Sequence, residues 1–490
     1  MSIWRTKSIE QSIRDTDEPG HRLRRDLSGF DLIVFGIGVI IGTGIFVVTG
    51  RQAAENAGPA IVLSFLAAGA VCALAAMCYA EFASTVPVAG SAYTFGYATL
   101  GEFVAWIIGW DLILEFTLAA SVVSVGWSEY AGDLLGVPLS VPVGDYRMNV
   151  GAMAVAGALG LVGMMGAKLS GRVTAVVVAV KVGIVLFIIA VGAYYVDPAN
   201  WTPFVPPAEP VPQDVQSAGD RPLTRVLLGL EPTSFGLWGV IAAASVVFFS
   251  FIGFDIVATT AEETRNPKRD MPVGIFGSLT IVTILYMAVS AVVTGMRPYP
   301  ELGVEAPLAD AFRSVGADWA GTLISLGGVI GITTVILVLM MGQSRVAFAM
   351  SRDGLLPRGL SRTHPRFGTP YVTTLLTTAA VVLLAGFVPI GALEEMVNIG
   401  TLFAFVVVSV GVVVLRRTRP DLPRAFRVPW SPVVPALAAL ACLWLMLNLT
   451  VVTWLRFAAW MLLGVAVYLL YGMRRSRLAA PPGRRTAEEV

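Results

Sequence analysis

"GIGVIIGTGIF", Gly36 to Phe46, lies in the first strongly apolar run of the chain and holds four glycines. Each glycine costs a helix interior about 1 kcal/mol relative to alanine. A plain membrane anchor has no use for that weakness, so the stretch raises the prospect of a helix that breaks part-way along its length.

The surroundings decide what kind of helix this is. Of 490 residues, 56% are hydrophobic and only 14% charged, and the mean hydropathy is +0.75. That balance belongs to a polytopic membrane protein. A span needs roughly 20 mostly apolar residues. Twelve such runs are readable: 31–49, 60–84, 102–132, 149–166, 173–196, 237–258, 272–296, 319–350, 372–389, 395–415, 432–453 and 455–472. They are too long and continuous for barrel strands, which alternate over about ten residues. The expected fold is an all-α integral membrane protein of twelve transmembrane helices.

Charge placement orients it. With a cytoplasmic N-terminus, 26 of the 34 Lys and Arg fall in inside segments, seven fall outside, and Lys181 alone sits within a span. This bias predicts both termini in the cytoplasm. Residues 1–29 are charged and lack an apolar core, so no cleaved signal peptide is expected. Three cysteines, all in apolar runs, and two histidines offer no disulfide framework or metal cluster. "GMMGAKLS" has the wrong glycine spacing for a phosphate loop. Neither a metal nor a cofactor is expected, and the net charge of +1 gives no reason to invoke nucleic acid. An ion gradient across the bilayer is the remaining source of energy.

The opening stretch has a counterpart. Residues 197–236 include "TPFVPPAEPVP" and divide the first ten spans into two sets of five. The first span of the second set carries "VFFSFIGFD", Val247 to Asp255, where the first set carries "VIIGTGIF". Paired interruptions in two halves point to an inverted-repeat transporter with a site near the midplane. The expected organisation is a cytoplasmic segment 1–30, a five-helix repeat 31–196, an outer loop 197–236, a second repeat 237–416, two added helices in 417–472, and a cytoplasmic tail 473–490. Residues 303–318 suit either a short outer helix or a loop.

A broken span leaves backbone groups that hydrocarbon cannot satisfy. Helix N-termini attract carboxylates, and exposed carbonyls at helix C-termini attract ammonium groups. Two broken helices therefore suit the zwitterion of an α-amino acid. In the first break, Ile40–Gly44, the amides of Gly42, Thr43 and Gly44 face a carboxylate, and the Ile40 carbonyl, next to Ile41, faces an amine. In the second, which includes Phe251, the carbonyls of Phe249, Ser250 and Ile252 complete the ammonium cage. The Phe249 ring is a candidate gate. The competing reading of the span-one glycines is close helix packing, which Gly38-x-x-x-Gly42 fits.

Lys181, nine residues beyond Arg172, is about 14 Å deep at the helical rise, too deep to snorkel. Burial disfavours a charged lysine, which makes Lys181 a candidate to bind and release a proton in each cycle; permanent pairing between helices is the alternative. Thr333 and Thr334 are candidate neighbours. Asp111 and Glu115 are four apart on one helix face and suit proton handling, contact with a cationic side chain, or a structural hydrogen-bond post. Asp255 is placed to cap or brace the short helix after the second break.

These motifs resemble the amino acid–polyamine–organocation superfamily, and within it the cationic amino acid transporters. The resemblance runs through "GIGVIIGTGIFVVTG", "GWDLILEF", "FFSFIGFDIVATTAEETRNPKRDMPVGI", "AMSRDGLLP" and "IGTLFAF". It implies a LeuT-type 5+5 inverted repeat with helices 1 and 6 broken, alternating access, and proton-coupled uptake of L-amino acids at the plasma membrane, with Lys181 carrying the coupling. It implies substrate contacts at Ile40, Thr43, Gly44, Phe249 and Ile252, and a transport role for Glu115. "ITTVILVLMMG" is more apolar than the serine-rich version of the animal members, which opens the range to neutral as well as cationic amino acids. An exchanger without net proton movement and a transporter-like nutrient receptor are the competing readings. An enzyme would need a nucleophile–base pair that is not evident. A small accessory membrane subunit is left open.

Overall fold

A computed structural model of the chain describes residues 26–85, 91–144, 146–166, 171–211, 217–258, 260–422 and 424–476. Most of the predicted N-terminal segment and tail lie outside the described residues.

Helix occupies every one of the apolar runs read from the sequence. The principal helices are α1 (Gly29–Ile40), α2 (Ile61–Thr85), α3 (Glu102–Leu135), α4 (Val150–Met164), α5 (Gly171–Gly192), α6 (Gly236–Val247), α7 (Pro267–Met296), α8 (Asp318–Arg352), α9 (Tyr371–Phe387), α10 (Ile390–Thr418), α11 (Val433–Leu447) and α12 (Val451–Val467). Among the described residues, eight helical runs are long and apolar enough to cross a membrane; α1, α4, α9 and α11 are shorter apolar helices. Start signals are local. Ser28 Oγ accepts the Asp31 amide at 3.3 Å while Asp31 accepts the Ser28 amide at 2.9 Å, a capping box. The Asn149 side chain accepts from Ala152 at 2.9 Å to begin α4.

Most of the interior is one apolar cluster drawn from nearly all these helices, with a small second cluster of Val125, Ala152 and Ala385. Large apolar side chains such as Leu186, Leu376, Leu440, Leu462 and Leu470 point outward instead, the arrangement a surrounding lipid phase requires. Two short antiparallel strand pairs, Ser140–Val143 with Tyr146–Asn149 and Glu209–Pro210 with Thr233–Ser234, are added to the all-helical expectation. Residues Pro307–Ser314 form the helical option for 303–318, burying Leu308 and Phe312.

Packing pairs the two halves. Helix α2 lies against α7, α3 against α8, and α4 against α9. Helix α11 packs on α2 and α10, and α12 on α10 and α3. Trp106 and Trp110 of α3 donate to the carbonyls of Gly464 (2.8 Å) and Trp460 (3.0 Å). At the end of the bundle near residue 85, Glu81 accepts Arg416 Nε at 2.8 Å and Nη2 at 2.5 Å, and the Val428 amide at 2.7 Å. That bidentate fork ties α2 to α10 and to the segment beyond it.

Candidate substrate-binding site

Both predicted breaks are present, and they touch. Helix α1 stops at Ile40; Ile41 is extended (φ −71°, ψ 104°), and helix resumes at Thr43 in a π-helical turn over Gly44–Val48. Helix α6 tightens to a 3₁₀ turn at Phe248–Phe251, extends at Ile252 (φ −60°, ψ 132°), and restarts as Phe254–Ala258. A β-carbon on Gly44 would stand 2.4 Å from Ser250 Cα. Gly253 has φ +127°, a conformation that needs glycine, and a β-carbon there would stand 3.3 Å from the Ile40 nitrogen. The two backbones therefore cross at their interruptions.

Not every glycine serves the break. A β-carbon on Gly36 would meet Ser278 Oγ at 2.5 Å, and one on Gly38 would meet Val178 Cγ2 at 2.5 Å, so these two allow close packing against α7 and α5. Gly42 has only an ordinary contact, 3.4 Å to Val335 of α8.

Carbonyls at the first break and in the turn beyond it find donors from three helices. Lys181 on α5, fully buried, donates through Nζ to the Gly38 carbonyl at 2.6 Å and the Ile41 carbonyl at 3.1 Å. The Tyr286 hydroxyl of α7 donates to the Ile40 carbonyl at 2.8 Å, and Tyr130 of α3 to the Phe46 carbonyl at 2.8 Å. At the second break, Asn398 Nδ2 of α10 donates to Ser245 and Val246 at 3.0 and 3.1 Å, carbonyls in the last turn of α6. The Asp255 carboxylate accepts the Gly253 amide at 3.1 Å at the start of the short helix.

These contacts revise several expectations. Thr333 and Thr334 make no hydrogen bond to Lys181 among the described residues. Thr333 accepts Trp127 Nε1 at 2.9 Å and donates to Val329, while Thr334 bonds back to Gly331 at 2.9 Å. Hydroxyls within a helix readily satisfy themselves on preceding carbonyls. Gly331 is what α8 presents to the lysine stem, its would-be β-carbon 3.0 Å from Lys181 Cγ. The Ile40 carbonyl, assigned to a substrate amine, already holds Tyr286, and the Phe249 carbonyl accepts the Ile252 amide at 3.2 Å. Phe251 joins an aromatic group with Phe65 and Tyr286, edge-on and tilted with centroids 6.2 and 5.5 Å away, so its ring packs the core. Thr43 Oγ1 reaches the Val123 carbonyl at 3.5 Å, and Ser250 Oγ has no partner among the described residues.

Asp111 and Glu115 are buried; neither Asp111 oxygen has a hydrogen-bond partner among the described residues, while Thr401 of α10 stands beside the Glu115 carboxyl. A β-carbon on Gly400 of α10 would lie 2.9 Å from Asp111 Oδ1. The Tyr79 hydroxyl, without a partner among the described residues, shares the electrostatic neighbourhood of Asp111, Glu115 and Asp255.

Residues 27–469 match the family model described as amino acid permease. The chain belongs to the amino acid permease family. Among curated relatives, this permease is 47% identical to the branched-chain amino acid permease BcaP of Bacillus subtilis, over 97% of this chain and 99% of the relative. It is 44% identical to the methylthioribose transporter of the same species, over 97% and 99%. Cationic amino acid transporter 4, vacuolar, of Arabidopsis thaliana is 37% identical over 86% of this chain and 68% of its own length. The permease is thus a transporter of the amino acid–polyamine–organocation superfamily rather than an enzyme.

Proposed function

We propose that this chain is a twelve-span, proton-coupled symporter that takes up L-amino acids by alternating access, with both termini cytoplasmic. The observation that carries the reading is the crossing of two broken helices at Gly44 and Ser250, with a buried lysine seated on the carbonyls of one break. Pairing of α2 with α7, α3 with α8 and α4 with α9 is the pattern expected when helix n of one repeat meets its equivalent in the other, and it supports a LeuT-type 5+5 inverted repeat followed by two added helices.

The first amides of the half-helix after Ile41 have no intrahelical acceptors and face a substrate carboxylate. Carbonyls of the second break receive the ammonium group. Val335, over Gly42, lends the site an apolar wall, which suits a neutral aliphatic side chain and agrees with the name of the Bacillus branched-chain permease. The methylthioribose relative supports a second reading, a thiosugar substrate; that molecule has no zwitterion to match the paired helix ends.

Counterflow in proteoliposomes decides between these. Vesicles preloaded with each of the twenty amino acids, or with methylthioribose, are tested for uptake of the labelled compound. Branched-chain or other neutral amino acids are expected to exchange. Exchange of methylthioribose alone would overturn the amino acid assignment, and no flux of any compound would favour a receptor.

A further inference from the structure

Between α2 and α3 runs a linker helix, Ser91–Thr99. It packs against α3, α10 and the short helix Phe254–Ala258 that follows the second break, and its Phe95 ring stacks on Phe82 of α2 at 5.3 Å. The linker helix thus covers the second break from the end of the bundle where Glu81 lies. Gly101, with φ +102°, turns the chain directly into α3, a conformation that needs glycine. Two tyrosines tether the cover. The Tyr93 hydroxyl donates to Asp353, just past α8, at 2.7 Å. The Tyr97 hydroxyl donates to Oε2 of Glu102, the first residue of α3, at 3.3 Å.

Glu102 also holds the end of α12. The turn 468–476 continues that helix through Tyr468–Gly472 and Met473–Arg475. Tyr468 donates to Glu102 Oε1 at 3.0 Å, and Ser476 to Oε2 at 2.5 Å. The turn is packed down along its length. The Tyr468 ring lies 5.3 Å from Phe103 and 5.9 Å from Trp106, and a β-carbon on Gly472 would stand 3.4 Å from the Leu355 carbonyl. Ser476 is buried and stands beside the Tyr97 hydroxyl as well. Glu102 is only 1% exposed, so its oxygens depend on these hydroxyls, and Tyr97 keeps the linker helix in place. Once water reaches Glu102, the Tyr97 bond exchanges for one to solvent with little net change in free energy. The seal made by the turn is what gives that bond its strength.

We propose that the turn 468–476 is a strap that restrains opening toward the cytoplasm: with Ser476 seated on Glu102 the linker helix is held over the second break, and with Ser476 withdrawn it is released. The inference rests on the alternating-access reading above. It gives the two added helices a task in that cycle, since α12 carries the strap.

Hydrogen–deuterium exchange of the full chain in lipid nanodiscs, read by mass spectrometry, tests the strap. Ser476→Ala is expected to speed exchange in Ser91–Thr99 and Phe254–Ala258 about fivefold, the scale of one net hydrogen bond. Ser476→Asp sets a second carboxylate against Glu102 and is expected to speed it further. Ser476→Thr, which keeps the hydroxyl, is expected to exchange like the parent. The helix Pro307–Ser314, at the far end of the bundle, is expected to stay unchanged in all three. Because the strap acts through the Tyr97 bond, Ser476→Ala added to Tyr97→Phe should do less than it does alone. If Ser476→Asp does not fold, the alanine and threonine variants carry the test. Exchange that is unchanged, rises only within 468–476, or rises equally in Pro307–Ser314 overturns the strap. So does a rise with Ser476→Thr equal to that with Ser476→Ala, or full additivity with Tyr97→Phe. Failure of counterflow by the unsubstituted chain would strike the transport reading and leave the exchange comparison intact, so the two failures are separable.

Discussion

Gly42 and Gly44 stand two residues apart in one motif, yet their surroundings set different tolerances. An added methyl at 44 drives into the Ser250 backbone at 2.4 Å, whereas at 42 it makes an ordinary 3.4 Å contact with Val335. Gly44→Ala is therefore expected to destabilise the fold by about 1–3 kcal/mol, the usual cost of overpacking, and to abolish uptake by parting the two breaks. Gly42→Ala should unfold within a degree or two of the parent and still transport. Thermal unfolding of the detergent-solubilised variants, beside uptake in vesicles, checks both halves. Equal tolerance of the two substitutions would mean that the crossing does not need the glycine. At this scale the sequence exposed the weak points but not their division of labour. Four glycines at short spacing are visible in a string; that Gly36 and Gly38 face α7 and α5 while Gly44 faces Ser250 depends on partners more than a hundred residues away.

Each break survives because other helices supply hydrogen-bond donors to it. Lys181, Tyr286 and Tyr130 serve the first, and Asn398 the second. Only the lysine announced itself beforehand, since a charge in an apolar run stands out and a tyrosine or asparagine does not. Thr333 and Thr334 drew attention as polar residues in a long apolar helix, but short hydroxyls bond within their own helix, and the residue actually facing the lysine is a glycine. The donors make unequal contributions. Asn398→Ala removes one amide shared by two carbonyls and is expected to cost about 1–2 kcal/mol, within the range for an unsatisfied buried group and for polar contacts in membranes. Tyr286→Phe keeps the ring contacts with Phe65 and Phe251 and loses only the bond to Ile40, so a loss of at most about 1 kcal/mol is expected. Unfolding temperatures measured in one detergent test the order. A larger effect at Tyr286 than at Asn398 would show that the first break is the less tolerant.

Across the whole molecule, the helical class and the twelve apolar runs were legible because membrane helices write their length and polarity directly into the chain. The relation between the halves was legible only at the two breaks; the pairing of α2 with α7 and α3 with α8 joins residues far apart in the chain, such as Gly69 with Thr283 and Trp127 with Thr333. In the proposed function, what those halves do together turns on Lys181. Its ammonium group occupies the Gly38 and Ile41 carbonyls beside the proposed substrate site, so gain or loss of its proton alters the same backbone that would receive an amino acid. A symporter built this way carries protons with its substrate. In vesicles bearing a pH-sensitive dye, adding a transported amino acid outside is expected to acidify the lumen, and an inward proton gradient to drive accumulation. Lys181→Ala should lose both signals while the protein still shows thermal stabilisation by the amino acid, since ligand bound to the folded state raises apparent stability whether or not protons move. Accumulation at the parental level in Lys181→Ala would refute coupling through the lysine. Counterflow without any lumenal acidification in the unsubstituted chain would identify an exchanger, in which the lysine holds the break open and carries nothing.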